Sequence, residues 1–195
     1  MPPSDDAFAP ACRVLVAGPS GAGKTTLSRR LSTMLGVPHV ELDALHHGPE
    51  WTPRPEFLDD VDRLTATGGW VAEWQYGSVR PLLAARADVL VWLDLPFPLV
   101  LARLLWRTVR RRVRREVLWN GNVEPPLRTI LTDPEHVVRY MVVHRHRYAD
   151  LVPAAIAAHP DLRLVHLRTP REVVTWLTEE APLLRGRPDH PRAGS

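Results

Sequence analysis

Lysine is nearly missing from this chain: of its 25 lysine and arginine residues, only Lys24 is a lysine. Cysteine is equally scarce. Cys12 is alone, so no internal disulfide can form, and a cytoplasmic home is the expectation. Cys12 opens an apolar run and is expected to be buried rather than reactive. No stretch approaches the roughly 20 consecutive apolar residues that a membrane-crossing helix needs, so no membrane partner is expected. The first ten residues are acidic and proline-containing, without the basic start and apolar stretch of a secretory leader. Repeats of solenoid length are missing too. Histidines number nine, but His46-His47 and His144-x-His146 lack helical ligand spacing, and no zinc centre is expected.

What is present suffices for one domain. The 195 residues are 45% hydrophobic, enough for a single sizeable core. The net charge of +3 is carried almost wholly by guanidinium groups. Against that background the ammonium of Lys24 stands out, as if a compact charge on a flexible stem were required there. Residues 1–10 and 185–195 show no apolar period and read as tails, with one domain over 11–180.

Between the tails, short apolar runs alternate with helical patterns. Strands are expected at Arg13–Ala17, His39–Leu42, Trp70–Glu73, Val89–Leu93 and Leu162–Leu167. Helices are expected at Lys24–Leu35, Pro55–Ala66, Val79–Arg86, Leu99–Val117 and Pro170–Leu177, with another from Asp133-Pro134 to about Ala149. Alternation of this kind implies a five-stranded parallel sheet with helices on both faces, an α/β fold.

Gly18-Pro19-Ser20-Gly21-Ala22-Gly23-Lys24-Thr25 satisfies G-x-x-x-x-G-K-[ST] in full. The glycines let the backbone wrap so that successive N–H groups face phosphate oxygens. The helix that follows adds its positive dipole end, and Thr26 continues its first turn. Lys24 would reach the β- and γ-phosphates of ATP, and the Thr25 hydroxyl would ligate Mg²⁺. The motif follows an expected strand and opens an expected helix, the context that gives it meaning.

The chain resembles P-loop small-molecule kinases related to adenylate kinase, and most of all the bacterial FlaR-like, or "DNA topology modulation", branch. The resemblance runs from about Arg13 to Leu177. It is carried by V-L-V-A-G-P-S-G-A-G-K-T-T, V-E-L-D-A-L-H-H, G-W-V-A-E-W-Q-Y, A-D-V-L-V-W-L-D-L-P, R-T-V-R-R-R-V-R-R-E with L-W-N-G-N after it, and V-H-L-R-T-P-R-E-V. It implies a P-loop kinase fold, ATP as donor and an arginine-rich helical lid over about 103–133. In shikimate-kinase-like relatives an aspartate matching Asp43 binds the acceptor or a magnesium-bound water. By the same resemblance the loop at Arg168 flanks the adenine, and Asp94 braces the P-loop. The resembling proteins usually read D-G-N-Y where this chain has Glu73-Trp74-Gln75-Tyr76, a departure that points to an altered acceptor pocket.

Each further candidate has a structural alternative. Asp43 either orients or deprotonates the acceptor hydroxyl, or simply caps a helix. Glu73, at a strand end beside the P-loop, would hold magnesium through water. Trp74 either stacks on an acceptor ring or packs. Arg103, Arg107, Arg110, Arg111, Arg112, Arg114 and Arg115 crowd one helix, and Arg107 and Arg111 share a face. Such crowding suits developing phosphoryl charge, where an arginine is worth roughly 10³–10⁵ in rate. The alternatives are a solvated face or contacts to nucleic-acid phosphates. No groove-reading motif accompanies the arginines, so nucleic acid is not an expected partner. Trp51, Trp92, Trp106 and Trp176 are expected to pack in the core or at the lid hinge. The sequence thus describes a Mg·ATP-dependent phosphotransferase with a nucleoside, nucleotide or hydroxylated metabolite as acceptor, working as a monomer or homodimer. A nucleic-acid-associated or regulatory NTPase is the rival.

Overall fold

A computed structural model describes residues 12–66, 68–114, 116–117, 121, 133 and 136–186. Five parallel strands form its sheet: β1 (Arg13–Ala17), β2 (His39–Val40), β3 (Trp70–Glu73), β4 (Val89–Leu93) and β5 (Arg163–Leu167), in the order β2-β3-β1-β4-β5. Val14 aligns with Val71 on one side and Val89 on the other, so the most apolar strands lie innermost. Val14, Leu15, Val16, Leu90 and Val91 are fully buried, as continuous apolar runs must be in a sheet covered on both faces. The even residues of β1 face a core formed with Leu27, Leu31 and Trp176; the odd ones face Phe57, Leu83 and Val152.

The helices are α1 (Lys24–Leu35), α2 (Leu42–His46), α3 (Phe57–Thr65), α4 (Arg80–Arg86), α5 (Phe97–Arg114), α6 (Val137–Val143), α7 (Arg147–Ala158) and α8 (Pro170–Glu179), with a final 3₁₀ turn at Ala181–Gly186. The expected parallel α/β architecture is what the structure shows. Three local expectations are corrected. Strand β2 ends at Val40 and α2 begins at Leu42, so Asp43 lies in a helical first turn rather than at a strand end. The single helix expected up to Ala149 is two, because the chain turns at His144–His146 before α7 starts. Past residue 180 the domain continues: Ala181 and Leu184 are buried in the core beside α1 and α8, and the 3₁₀ turn runs to Gly186, two residues into the expected tail. Residues 1–10, Arg115, Pro134 and 187–195 lie outside the described residues.

Among the tryptophans, Trp92 and Trp176 are buried as expected, while Trp106 is 67% exposed and takes no part in the core. Trp51 is half-buried against the His47 ring. Cys12 is half-buried at the edge of the α1 core.

Candidate active site

The P-loop leaves β1 at Gly18 and enters α1 at Lys24, and its shape depends on close packing. Gly18 and Gly21 have φ of 146° and 91°. A Cβ on Gly18 would sit 2.8 Å from the Leu93 carbonyl, and one on Gly21 would sit 2.5 Å from the Val100 carbonyl. The end of β4 and the first turns of α5 are therefore molded onto the loop, and no side chain fits between them. Leu104 and Thr108 of α5 are fully buried, which fixes the first three turns of this helix to the core. Ala22 N–H donates to the Pro19 carbonyl at 3.1 Å and closes the curl.

Inside the curl, Lys24 and Glu73 are both buried and face each other. Thr25 Oγ1 donates to Glu73 Oε1 at 2.7 Å, and Lys24 Nζ lies 3.9 Å from Glu73 Oε2 and 3.3 Å from the Pro19 carbonyl. Parallel pairing of β1 with β3 sets Val16 beside Glu73, so the strand end delivers this carboxylate to the loop. Two hard oxygen donors, one hydroxyl and one carboxylate, fit Mg²⁺, which keeps several waters and asks for one or two protein ligands. Of the sequence-derived residues, Pro19, Ser20, Ala22, Gly23, Lys24, Thr25 and Glu73 are thus brought together. Thr26 lies exposed on the outer side of α1.

Asp43 lies across the exit of β3. Gln75 Nε2 and Tyr76 Oη both donate to its Oδ1, at 2.8 and 2.5 Å. Its second oxygen accepts no hydrogen bond among the described residues. The N-cap of α2 is Glu41, so Asp43 does not serve as the cap. The hydroxyl of Tyr76 also lies 3.0 Å from His47 Nε2, and the His46 ring stacks on the phenol at 4.1 Å. Burial, then the Asp43 charge, pushes the Tyr76 phenol far above its ordinary value, so it stays a donor. Burial pushes His46 down, and the neighbouring His47 adds to the shift. Gln75, Tyr76 and His47 received no role from the sequence. Their types were visible, but only the turn after β3 brings Gln75 and Tyr76 onto Asp43 and sets the Tyr76 hydroxyl beside His47.

The strand-end residues on the other flank behave differently. Asp94 Oδ2 meets His166 Nε2 at 2.9 Å, and the His166 ring stacks on Trp92, while the Leu93 carbonyl packs close against the P-loop at Gly18. Arg168 is exposed, with its backbone N–H held by Glu172 Oε2 at 2.7 Å. It lines a cleft of about 480 Å³ together with Pro19, Trp92, Asp94, Phe97 and Tyr148, so the cleft adjoins the P-loop. Trp74 is 3% exposed and its indole N–H donates to the Arg80 carbonyl. It packs, and does not present a ring to an acceptor. Arg107 and Arg111 are half-buried on α5, and Arg110 pairs loosely with Glu116 at 3.8 Å. Most of the segment from 118 to 132 lies outside the described residues.

Comparisons with known proteins agree with this architecture. No family model matches the chain. It is similar to shikimate kinase of Halorhodospira halophila (strain DSM 244 / SL1), 28% identical over 145 residues, which cover 65% of this chain and 78% of that protein. Over 55 residues it is 38% identical to the bifunctional pantoate ligase/cytidylate kinase of Gloeobacter violaceus, covering 27% of this chain and 11% of that one. The crystal structure of shikimate kinase from Bacteroides thetaiotaomicron superposes with a TM-score of 0.52 at 15% identity, over 89% of this chain and 98% of that chain. The chain has the P-loop kinase fold. The P-loop kinase fold explains why Lys24, Thr25 and Glu73 converge: all three sit at carboxyl ends of neighbouring parallel strands or on the helix one of them feeds.

Proposed function

We propose that this P-loop kinase transfers the γ-phosphoryl group of Mg·ATP to a small acceptor, a nucleoside, nucleotide or hydroxylated metabolite. The observation that carries this reading is the meeting of Thr25, Lys24 and Glu73 inside the glycine loop, with Asp43 held beside the same strand exit, one oxygen open. Lys24 and the loop N–H groups from Gly18 to Thr25 hold the donor phosphates. Thr25 and Glu73 hold the magnesium ion, whose charge neutralises the β- and γ-phosphate oxygens when it is bound. In this reading Asp43 takes the acceptor hydroxyl on its open oxygen and receives its proton as the oxygen–phosphorus bond forms. Gln75 and Tyr76 hold the carboxylate in place from the other side. Arg168 borders the nucleotide base at the cleft beside Pro19.

Arg107 and Arg111 supply positive charge to the transferring group once the segment beyond Thr108 folds over the loop. A lid of that kind would exclude water, the competing acceptor. In this reading the moving part of the lid expected over 103–133 lies beyond Thr108, since Leu104 and Thr108 are both buried. We assign the chain to the FlaR-like branch on the arginine run and the L-W-N-G-N that follows it, and a cytoplasmic location follows from the same reading.

The test is ATP-dependent phosphate incorporation across pools of nucleosides, nucleotides and hydroxylated metabolites, with Lys24→Ala as control. Arg107→Ala and Arg111→Ala should each lower the maximal rate by roughly 10²-fold or more and leave ATP affinity near the parent's. Turnover should not respond to DNA or RNA. Polynucleotide-stimulated hydrolysis, with no acceptor phosphorylated in any pool, would establish the rival NTPase reading.

A further inference from the structure

The hydroxyl of Tyr76 stands between two partners that cannot both receive its single proton. Asp43 Oδ1 is 2.5 Å away and His47 Nε2 is 3.0 Å away. A carboxylate oxygen only accepts, and a phenol has one hydrogen to give. With that hydrogen on Asp43, His47 must itself donate, from Nε2–H to Tyr76 Oη, which sets the neutral imidazole in its Nε2–H tautomer. Burial and the Asp43 charge keep the phenol protonated, so the hydrogen is there to be given. A directed chain thus runs from His47 through Tyr76 to Asp43 Oδ1. His46 Nδ1 lies 3.5 Å from His47 Nδ1, at the outer limit of a hydrogen bond, and adds little to the chain.

This direction decides which oxygen of Asp43 stays open. The Tyr76 ring is held on two sides, by the His46 ring stacked at 4.1 Å and the Phe57 ring edge-on at 5.3 Å. Only the hydroxyl rotor is left, and conjugation with the ring gives its hydrogen two in-plane positions. An Nε2–H aimed at Oη leaves the position toward Asp43. Gln75 Nε2 takes the same Oδ1 at 2.8 Å, so Oδ2 is the oxygen without a donor among the described residues. The backbone around the chain is strained on its behalf. Tyr76 has φ of 58°, and in the loop after His47 both Glu50 and Trp51 have positive φ, 55° and 60°. Residues other than glycine adopt this region rarely, and such outliers gather where a side chain must be aimed. Gly48 N–H closes the loop on the Thr52 carbonyl at 2.7 Å, and the Trp51 ring meets the His47 imidazole edge-on at 5.1 Å.

We propose that His47 is a positioning residue for phosphoryl transfer: by donating Nε2–H to Tyr76 it commits the Tyr76 hydroxyl to Asp43 Oδ1 and leaves Oδ2 for the acceptor. The role of Asp43 in this statement rests on the kinase reading, while the hydrogen-bond chain stands independently of it. In the transfer step the acceptor proton goes to Oδ2, and Tyr76 and His47 keep their own protons.

The experiment compares the parent with His47→Gln, whose amide keeps a donor near the place of Nε2, and His47→Leu, which keeps none. Tyr76→Phe and the double variant of Tyr76→Phe with His47→Leu complete the set. Should His47→Leu fail to fold, His47→Asn, with an amide too short to reach Tyr76, takes its place. Phosphate incorporation from Mg·ATP is followed in the acceptor pool that the parent phosphorylates. His47→Leu should lower the maximal rate by about tenfold or more at an unchanged Michaelis constant for ATP, and His47→Gln should recover most of the loss. In the Tyr76→Phe background the same change should alter the rate by less than about twofold, because His47 acts through that hydroxyl. A purely structural role predicts equal losses in His47→Gln and His47→Leu, or losses that multiply in the double variant. Either result overturns the proposal.

The chain is read apart from turnover, by ¹⁵N–¹H correlation of histidine-labelled protein. The parent should carry the His47 proton on Nε2, slow to exchange with water, and Tyr76→Phe should make that exchange fast. A neutral His47 protonated on Nδ1 in the parent, or exchange indifferent to Tyr76→Phe, overturns the chain and the proposal together. A parent that phosphorylates no pool defeats the kinase reading and the catalytic role of His47 with it, whereas the exchange result still decides on the chain.

Discussion

Lys24 is both a ligand for phosphate and the partner of a buried carboxylate, and the two roles separate by mutation. Lys24→Ala should abolish phosphoryl transfer. It should also lower apo stability by about 1–3 kcal/mol, because Glu73 is left buried with only the Thr25 hydroxyl against it. Adding Glu73→Gln to Lys24→Ala should restore most of that loss without restoring activity, a double-mutant cycle read by denaturant unfolding. Tyr76 tests the other carboxylate. Tyr76→Phe removes a short charge-assisted hydrogen bond to Asp43 and should lower stability by about 1.5–3 kcal/mol. Its maximal rate should fall while the Michaelis constant for ATP holds, since nothing at the P-loop touches Tyr76. An unchanged rate would mean that Gln75 alone holds Asp43.

At the scale of elements, the fit of the P-loop against α5 makes its glycines unequal. Gly21→Ala puts a methyl group 2.5 Å from the Val100 carbonyl and 3.0 Å from Leu104 Cβ. At Gly23, with φ of 99°, the same methyl would meet nothing within 4 Å, so only backbone strain applies. Gly23→Ala should therefore cost about 1–2 kcal/mol. Gly21→Ala adds overpacking of typically about 1–3 kcal/mol to a similar strain. The check is the difference in unfolding free energy between the two variants, with Gly21→Ala also displacing α5 and weakening nucleotide binding. The motif pattern marks all three loop glycines alike. Only their neighbours, from a segment some 80 residues away in sequence, distinguish them.

For the molecule as a whole, pH acts through histidines whose protonation folding disfavours. His39 and His46 are both pushed below the ordinary histidine value of about 6.5, in each case chiefly by burial. For His39 the carboxylates of Glu73 and Glu41 pull the other way without reversing the shift. Their folded values lie below their unfolded ones, so the unfolded chain binds more protons in this window. The stability they contribute is present above about pH 6.5 and is lost as pH falls through their folded values. Melting temperature should therefore drop below about pH 6.5, and the drop should be shallower in a His39→Gln/His46→Gln variant. An identical pH profile in that variant would assign the acid sensitivity to other groups.

The sequence by itself determined the α/β class, the strands β1, β3 and β4, and the P-loop, because a buried parallel strand and a phosphate loop are local patterns of apolar runs and glycine spacing. It also marked Lys24 through the scarcity of every other lysine. It misjudged β2, where Glu41 and Leu42 continue the polar–apolar alternation of His39 and Val40 although only His39 and Val40 find partners on β3. It could not divide the helix after Asp133, for the turn at His144–His146 has no glycine or proline to announce it. The tertiary structure alone decided which polar side chains act together. Glu73 reaches Thr25 because β1 and β3 pair in one register; Gln75 and Tyr76 reach Asp43 across about 33 residues of chain because one turn after β3 faces α2. Arg80 is buried opposite Trp74 for the same kind of reason. Contacts of that range come from strand order and packing, which no local spacing encodes.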